Sequence, residues 1–398
     1  MAYGFIERFK PTYTTITFGG TQAITKSGSF ALYNNAFGAA ANAGPNNAYS
    51  LFGGGEYTSS GRELTVCAID NNNVYILLET LSVARNLLAA ATADGSALFV
   101  GGQGSDGNAS DVADLYDRTL KKSSFSSGLY APVYYLMGVS FGEHAIFAGG
   151  YDGTNRFSNV VAFSNDLFHT DLANLSDAVA TAGAARNSNY AIIAGGYGVN
   201  GVVDTVNAYG TDLTKATNPA SLSVARELIA SGTAGDYALF VGGKISGSNV
   251  SNVAEAYDKN LTKLSVQNYE WGLREAATAS LGSYLVIFGG MGGSNYYRRV
   301  DYYDSNLVRH NAPNLTNLAA YGAAASSGEY AYFFGGHFGS AYRNTVDVYQ
   351  LPNKVTVYPG TKYKLGSMQN EVTASSMQTI STEAPISGYI KIKNANLP

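Results

Sequence analysis

A seven-bladed, all-β propeller is the fold this 398-residue sequence predicts, and three observations carry the prediction. An apolar run ending in a diglycine recurs seven times, at Gly53-Gly54, Gly101-Gly102, Gly149-Gly150, Gly195-Gly196, Gly242-Gly243, Gly289-Gly290 and Gly335-Gly336. The intervals are 48, 48, 46, 47, 47 and 46 residues, a period that four-stranded blades produce, whereas helical repeats are shorter and carry a 3.6-residue rhythm. After each diglycine comes a polar loop and then a short alternating run ending in an aromatic or apolar residue, as in YALFVGGKISGSNVSNVAEAYD over 237–258.

Taken in order, residues 1–30 precede the first full repeat, and Thr14 to Phe18 alternates as a strand does. This segment is expected either to complete a blade and close the ring or to reach another subunit as an arm. Residues 31–358 form the propeller. The first strand of each repeat is rich in Ala and Gly, as in Ala39-Ala40-Ala41 and Ala323-Ala324-Ala325, because innermost strands crowd around the axis. The second strand, such as Ala145 to Ala148 or Ala331 to Phe334, is an apolar run that reads as buried between blade faces. The glycines after it allow a bend where a side chain would strike the neighbouring blade. A fourth, outermost strand such as Leu261 to Val266 is polar. Residues 359–398 fall outside the repeat and read as a small β appendage, with strands near Tyr363 to Leu365 and Tyr389 to Lys393. The lysines there fit either a protected edge or docking by strand addition.

The third strand carries the most specific signal, an acidic residue two positions before a tyrosine. It appears as Asp114/Tyr116, Glu255/Tyr257, Asp301/Tyr303 and Asp347/Tyr349, nearly as Asn207/Tyr209, and in degenerate form as Val161/Phe163 and Cys67/Ile69. With the diglycines, this unit resembles the kelch repeat of β-propellers across most of the chain. The family's tryptophan about six residues on is missing from every blade. Leucine four residues past the aromatic fills part of the pattern at Leu120, Leu167, Leu213, Leu261 and Leu307, and the single Trp271 lies elsewhere in its repeat. The signal-free start, the Ala/Gly/Asn/Tyr-rich repeats and the C-terminal SGYIKIK segment resemble virion-associated proteins of tailed phages.

Charged residues make up 14% of the chain, against about 25% in an average soluble domain, so Asn, Ser, Thr, Gly and Tyr must cover the surface. A net charge of −4 and the absence of any basic run leave no footprint for nucleic acid or an anionic membrane. Cys67 is the only cysteine, which excludes an intrachain disulfide and a multi-cysteine zinc site. No stretch approaches eighteen apolar residues and the N-terminus lacks an apolar h-region, so neither membrane insertion nor a conventional signal is expected.

Catalytic chemistry finds little support. Galactose oxidase shares the kelch propeller, and the resemblance raises copper, but His144, His169, His310 and His337 occupy different phases of the repeat. The loop Asp106 to Asp111 spaces oxygen ligands as a calcium loop does but lacks the sixth-position glycine and the closing glutamate. Asp152, Asp204, Glu56 and Glu63 fall on the same face without any evident pairing. No cofactor, no metal site and no catalytic residue is expected, and Cys67 is expected to be a buried, inert thiol.

The post-diglycine loops differ from blade to blade while the strands stay alike, the pattern of a scaffold presenting a site. They hold Tyr151, Tyr197, Tyr296, Tyr297, Phe338 and Tyr342 beside Arg156, Arg298, Arg343 and His337, residue types that offer rigid stacking area and donors at low entropic cost. These ten are the expected ligand-binding residues, with 296–298 and 337–343 forming one patch across blades six and seven. The expectation is a non-enzymatic recognition or structural module on a phage virion surface, as a tail-fibre, receptor-binding or capsid-decorating protein. Its partners would be a host glycan or surface protein, other virion subunits through the terminal segments, and a second copy of itself if it oligomerises. The alternatives are a bacterial adhesin or protein-interaction scaffold, at a cell surface or outside the cell by a non-classical route, and a sugar-acting propeller enzyme, an epimerase or oxidase.

Overall fold

The computed structural model describes residues 24–59, 61–125, 129–166 and 168–351, together with the backbone of Thr14–Phe18, Asn353–Val357, Lys362–Tyr363, Val372–Thr373, Gln378–Thr382 and Ile390–Lys391. The chain divides into two compact units. In the smaller, Met1–Thr25 with Gln350–Pro398, a four-stranded sheet runs in the order Asn353–Val357, Gln378–Thr382, Thr14–Phe18, Ile390–Lys391, so the two ends of the chain share one sheet. Thr14–Phe18 runs parallel to Gln378–Thr382, and the other two pairings are antiparallel.

The larger unit, Lys26–Tyr349, is a seven-bladed β-propeller. Its innermost strands are Ala39–Ala43, Ala89–Ala93, Met137–Phe141, Gly183–Arg186, Ala230–Ala234, Ala277–Leu281 and Ala323–Ser327. Outward from each, antiparallel pairing runs through the apolar second strand and the acid-x-aromatic third strand. The fifth blade shows the full plan in one segment: Ala230–Ala234, Tyr237–Val241, Ala254–Tyr257, Lys263–Ser265. In the seventh blade the outermost strand is Thr25–Asn35, paired with Ala341–Gln350, so the start of the propeller segment completes its last blade.

Second and third strands are buried on both faces and pack blade on blade, Leu98 and Val100 against Phe147 and Phe163 in one such layer. Around the axis, inner strands are joined by hydroxyls spaced one repeat apart. Thr92 Oγ1 donates to the Asn42 carbonyl at 2.9 Å, Ser231 to Ala184 at 2.9 Å, Thr233 to Arg186 at 2.7 Å, Thr278 to Ser231 at 2.6 Å and Ser280 to Thr233 at 2.9 Å. Small side chains at the axis therefore serve as cross-links as well as space savers.

The diglycines mark where each blade meets the next. The second glycine's N–H donates to a carbonyl of the next connector, as in Gly102 to Val133 at 2.8 Å, Gly243 to Leu273 at 2.6 Å and, across the closure, Gly336 to Asn35 at 2.7 Å. A Cβ on Gly242, which sits at φ +67°, would lie 2.2 Å from the Leu273 carbonyl oxygen, so any side chain there would force the blades apart. One detail of the sequence reading is corrected. In the first repeat the left-handed pair is Gly54–Gly55, at φ 65° and 109°, and Gly53 ends the strand before it.

The acid-x-Tyr signature is an inter-blade clasp. The tyrosine hydroxyl donates back to a carbonyl at the exit of the preceding blade: Tyr116 to Glu79, Tyr209 to Ala173, Tyr257 to Ala220, Tyr303 to Gln267 and Tyr349 to Pro313, at 2.6–2.8 Å. The acidic residue accepts from a hydroxyl residue in the same connector. Asp114 takes the N–H and Oγ of Ser82, Glu255 those of Ser223, Asp347 those of Thr316, and Asn207 serves Ser176 likewise. Two of these acids also hold a fully buried arginine, Arg85 on Asp114 at 2.7 Å and Arg226 on Glu255 at 2.8 Å. Lys26, from the ring-closing strand, meets Asp347 at 2.6 Å, as Lys263 of the fifth blade's own outer strand meets Glu255 at 3.4 Å. The leucines after the aromatic are turn residues, with Leu120, Leu213, Leu261 and Leu307 at φ 61–66°; Leu167 lies outside the described residues.

Candidate ligand-binding face

Each post-diglycine residue pairs with the connector that leads into its own blade, giving Ala36↔Glu56, Tyr134↔Tyr151, Ala180↔Tyr197, Glu227↔Lys244, Arg274↔Met291 and Ala320↔His337 as isolated bridges, and Asn86↔Gln103 within a two-residue ladder. The next connector residue is left-handed in every blade: Phe37, Leu87, Tyr135, Thr181, Leu228, Glu275 and Tyr321 all have φ of 54–59°. A left-handed non-glycine residue costs about 1–2 kcal/mol, and here each makes the same compensating bond. Its N–H donates to the carbonyl of its counterpart one blade earlier, and the ring closes from Phe37 to Tyr321 at 2.9 Å, with the six other links at 2.8–3.3 Å. Seven backbone hydrogen bonds thus encircle the axis and display seven side chains at its mouth.

Aromatic residues from three blades collect on one side of this mouth. Tyr296 stands edge-on to Phe338 at 5.2 Å and 6.3 Å from His337, while His337 contacts Tyr342 at 5.1 Å and Phe37 packs on Tyr321 at 4.3 Å. The Arg343 guanidinium lies 5.6 Å over the Phe338 ring. Burial, reinforced by Arg343 and opposed by Glu56, lowers the His337 pKa and so favours its neutral imidazole. A second group forms across the third and fourth blades, where Arg156 is sandwiched at 5.1 Å from Tyr151 and 4.6 Å from Tyr197, and Tyr134 bridges Tyr151 to Tyr135.

Of the ten expected binding residues, eight fall into these two groups. Tyr297 and Arg298 do not. Tyr297 points away from its neighbour Tyr296, packs on Trp271 at 6.1 Å and donates to the Gly272 carbonyl at 3.3 Å; Arg298 is exposed outside both groups. Successive residues point to opposite sides of an extended run, so only one of the adjacent tyrosines can face the mouth. Of the two expected tyrosines, Tyr296 therefore shares the patch with Arg343 and Tyr297 does not.

Three carboxylates stand among the rings. Glu56 accepts from Arg62 at 2.8 Å, Asn86 at 2.8 Å and Tyr342 at 2.9 Å; burial and this carboxylate push the Tyr342 hydroxyl up to about 12. Glu227 accepts from Thr181 at 2.8 Å and Lys244 at 3.1 Å. Glu275 is paired through Oε1 with Arg274 and has the Tyr321 hydroxyl beside its carboxyl, while no donor among the described residues reaches its buried Oε2 with full hydrogen-bond geometry. Burial raises the Glu275 carboxyl above its ordinary value against the pull of the adjacent Tyr321 hydroxyl and Arg274. Tyr135 is raised, first by burial and then by the neighbouring Tyr134 and the carboxylates of Glu275, Glu56 and Glu227. His337 Nδ1 and Arg343 Nε are also buried without partners.

Among the other acids on this face, Glu63 is spent on Leu64 and Thr65, and Asp152 on Thr154 and Asn155. Glu227 and Glu275 escaped the sequence reading because they sit in connectors, not in the post-diglycine loops. Aligning the residue just before each Ala/Gly-rich strand, from Phe37 to Tyr321, would have exposed them. Asp106 folds back on Asn108 in a polar turn, with Oδ1 accepting its N–H at 3.0 Å. Cys67 is buried, and burial pushes its thiol up to about 12. His310 stacks on Tyr302 at 5.0 Å and bonds Asp304 at 3.0 Å, His169 lies 5.4 Å from Phe163, and His144 starts a second strand at the end opposite its diglycine. No group of three or more metal-ligating side chains forms among the described residues.

These features define a seven-bladed β-propeller with a mixed aromatic and carboxylate mouth on its loop face. No protein-family model matches the chain, and no curated protein matches it in sequence. A solved structure of YjhT is similar in fold, with a TM-score of 0.53 and 14% identity over 70% of this chain and 99% of that one.

Proposed function

We propose that this propeller is a non-enzymatic recognition module that binds a hydroxyl-rich ligand, a glycan, at the axial mouth of its loop face. The observation that carries the reading is the convergence there of open aromatic rings with buried polar atoms lacking partners, Glu275 Oε2, His337 Nδ1 and Arg343 Nε. A sugar presents apolar ring faces for stacking and hydroxyls that both donate and accept, which matches this pairing. Kelch-like repeats, a surface of neutral polar residues and a terminal β unit suited to attachment support placement on a tailed-phage virion; a cell-surface adhesin or scaffold would use the same face. The test is a glycan-array and cell-binding screen of the full chain beside a Tyr296→Ala, Phe338→Ala variant. Specific binding lost in the variant is expected, and binding that survives it refutes the mouth as the site.

A second reading, a sugar-acting enzyme, is favoured by the raised carboxyl of Glu275 at the mouth, the kind of perturbation that marks acid–base residues. Turnover of a reducing sugar by the full chain, abolished by Glu275→Gln, would establish it in place of the first.

A further inference from the structure

The opposite end of the same axis carries separate chemistry. The inner strands enclose a cavity of about 950 Å³ whose lining does not reach the left-handed ring. One inner-strand position repeats in every blade, held in register by the pairing with the second strand: Asn42, Thr92, Ser140, Arg186, Thr233, Ser280 and Ser326. All seven line the cavity. Six are small and neutral, and one is an arginine.

Arg186 is exposed to the cavity, and its guanidinium has no hydrogen bond or ion pair among the described residues, although its carbonyl accepts from Thr233 at 2.7 Å. The hydroxyls beside it are committed to the walls, with Thr92, Thr233, Ser280 and Ser326 each donating to a neighbouring carbonyl. The acid on the cavity rim is already engaged, since Asp94 is paired with Arg118 and accepts from Asn165 at 2.8 Å. A guanidinium offers five donors and no acceptor, so an anion entering the cavity meets a fork that only water would otherwise occupy. Its planar fork fits the paired oxygens of a carboxylate, sulfate or phosphate, and a cation left unneutralised by the neutral polar walls around it attracts anions.

We propose that the axial cavity is an oxyanion-binding site centred on Arg186. Its ligand is a carboxylate, sulfate or phosphate group, free or carried on a molecule small enough to enter. The site is independent of the loop-face mouth.

Calorimetric titration of the full chain at low ionic strength with inorganic phosphate, sulfate and acetate tests the site. Saturable one-to-one binding of at least one probe is expected, weakened about tenfold or more by Arg186→Thr. Arg186→Lys keeps the charge without the fork and should bind with intermediate affinity. No saturable binding of any probe, or equal affinity in Arg186→Thr, overturns the proposal. Threonine is what two other blades carry at this position, and Arg186→Gln carries the same test should that variant fail to fold.

Discussion

Two sets of buried carboxylates divide the work of this molecule. In the belt between blades, Asp114 and Glu255 have donors on every side, and although burial alone would raise them, their partners hold both below the ordinary carboxylate range. For Asp114 these are Arg85, Ser82, Ser124 and Lys122, and for Glu255 they are Ser223, Arg226 and Lys263. At the mouth, Glu275 is about as enclosed, but burial outweighs the pull of Tyr321 and Arg274 and its pKa is raised, with no donor among the described residues well placed for its Oε2. A buried carboxylate surrounded by donors is held ionised and fixes geometry, whereas one whose burial outweighs its partners resists ionisation.

The largest effect that would break this contrast is in the belt. Asp114→Ala strands Arg85 in a fully buried position and should cost about 3–5 kcal/mol in urea unfolding. Replacing Arg85 and Asp114 together by apolar residues should recover most of that loss, and failure to recover would mean that Ser82 and Ser124 depend on the acid as much as the arginine does. The pH dependence sharpens the distinction because the two sets have opposite signs. Asp114 and Glu255 have folded pKa values below their unfolded ones, so their contribution is complete above the ordinary carboxylate range and is lost as pH falls through it, from about pH 5 downward. Glu275 has the reverse shift, so its contribution is complete at low pH and fades as pH rises from its unfolded value to its raised folded one. The stability difference between the parent and Glu275→Gln, read from urea midpoints between pH 3 and 8, should therefore move toward the variant as pH increases.

Smaller again is Tyr257→Phe, which removes one clasp onto the Ala220 carbonyl and should cost about 1 kcal/mol. In the third blade, where Phe163 already lacks the hydroxyl, Phe163→Tyr should add little unless a carbonyl of the second blade's exit lies within reach, which thermal unfolding would show. The smallest expected change in stability is that of Glu275→Gln at neutral pH, about 1 kcal/mol or less in either direction. Its effect on glycan binding should nonetheless be about tenfold, and a belt-sized loss of stability would place Glu275 among the structural acids.

Much of the scaffold was legible because its causes are local and repeated. Diglycines recur because each blade's connector carbonyl abuts them, and acid-x-Tyr recurs because each blade clasps the one before it. The cluster of rings and guanidiniums on the loop face was legible as well, since variable loops rich in Tyr and Arg supply it. Its membership was not, because Tyr296 and Tyr297 are adjacent and chemically alike, and only the direction of the extended run separates them. Glu275 and Glu227 were hidden because a connector residue acquires its place from the ring of left-handed positions, which has no signature of residue type: Phe, Leu, Tyr, Thr and Glu all occupy it.

By itself, the sequence determined the number of blades, the order of strands within each and the recurring diglycine and acid-x-Tyr positions, because a repeat must satisfy the same contacts each time it occurs. Only the tertiary structure decided that Thr25–Asn35 supplies the last blade's outer strand, that seven connectors close a hydrogen-bonded ring around the axis, and that Arg186 stands in the cavity without a partner among the described residues. Those three features depend on groups brought together around a closed circle, and closure is a property of the whole ring that no single repeat encodes.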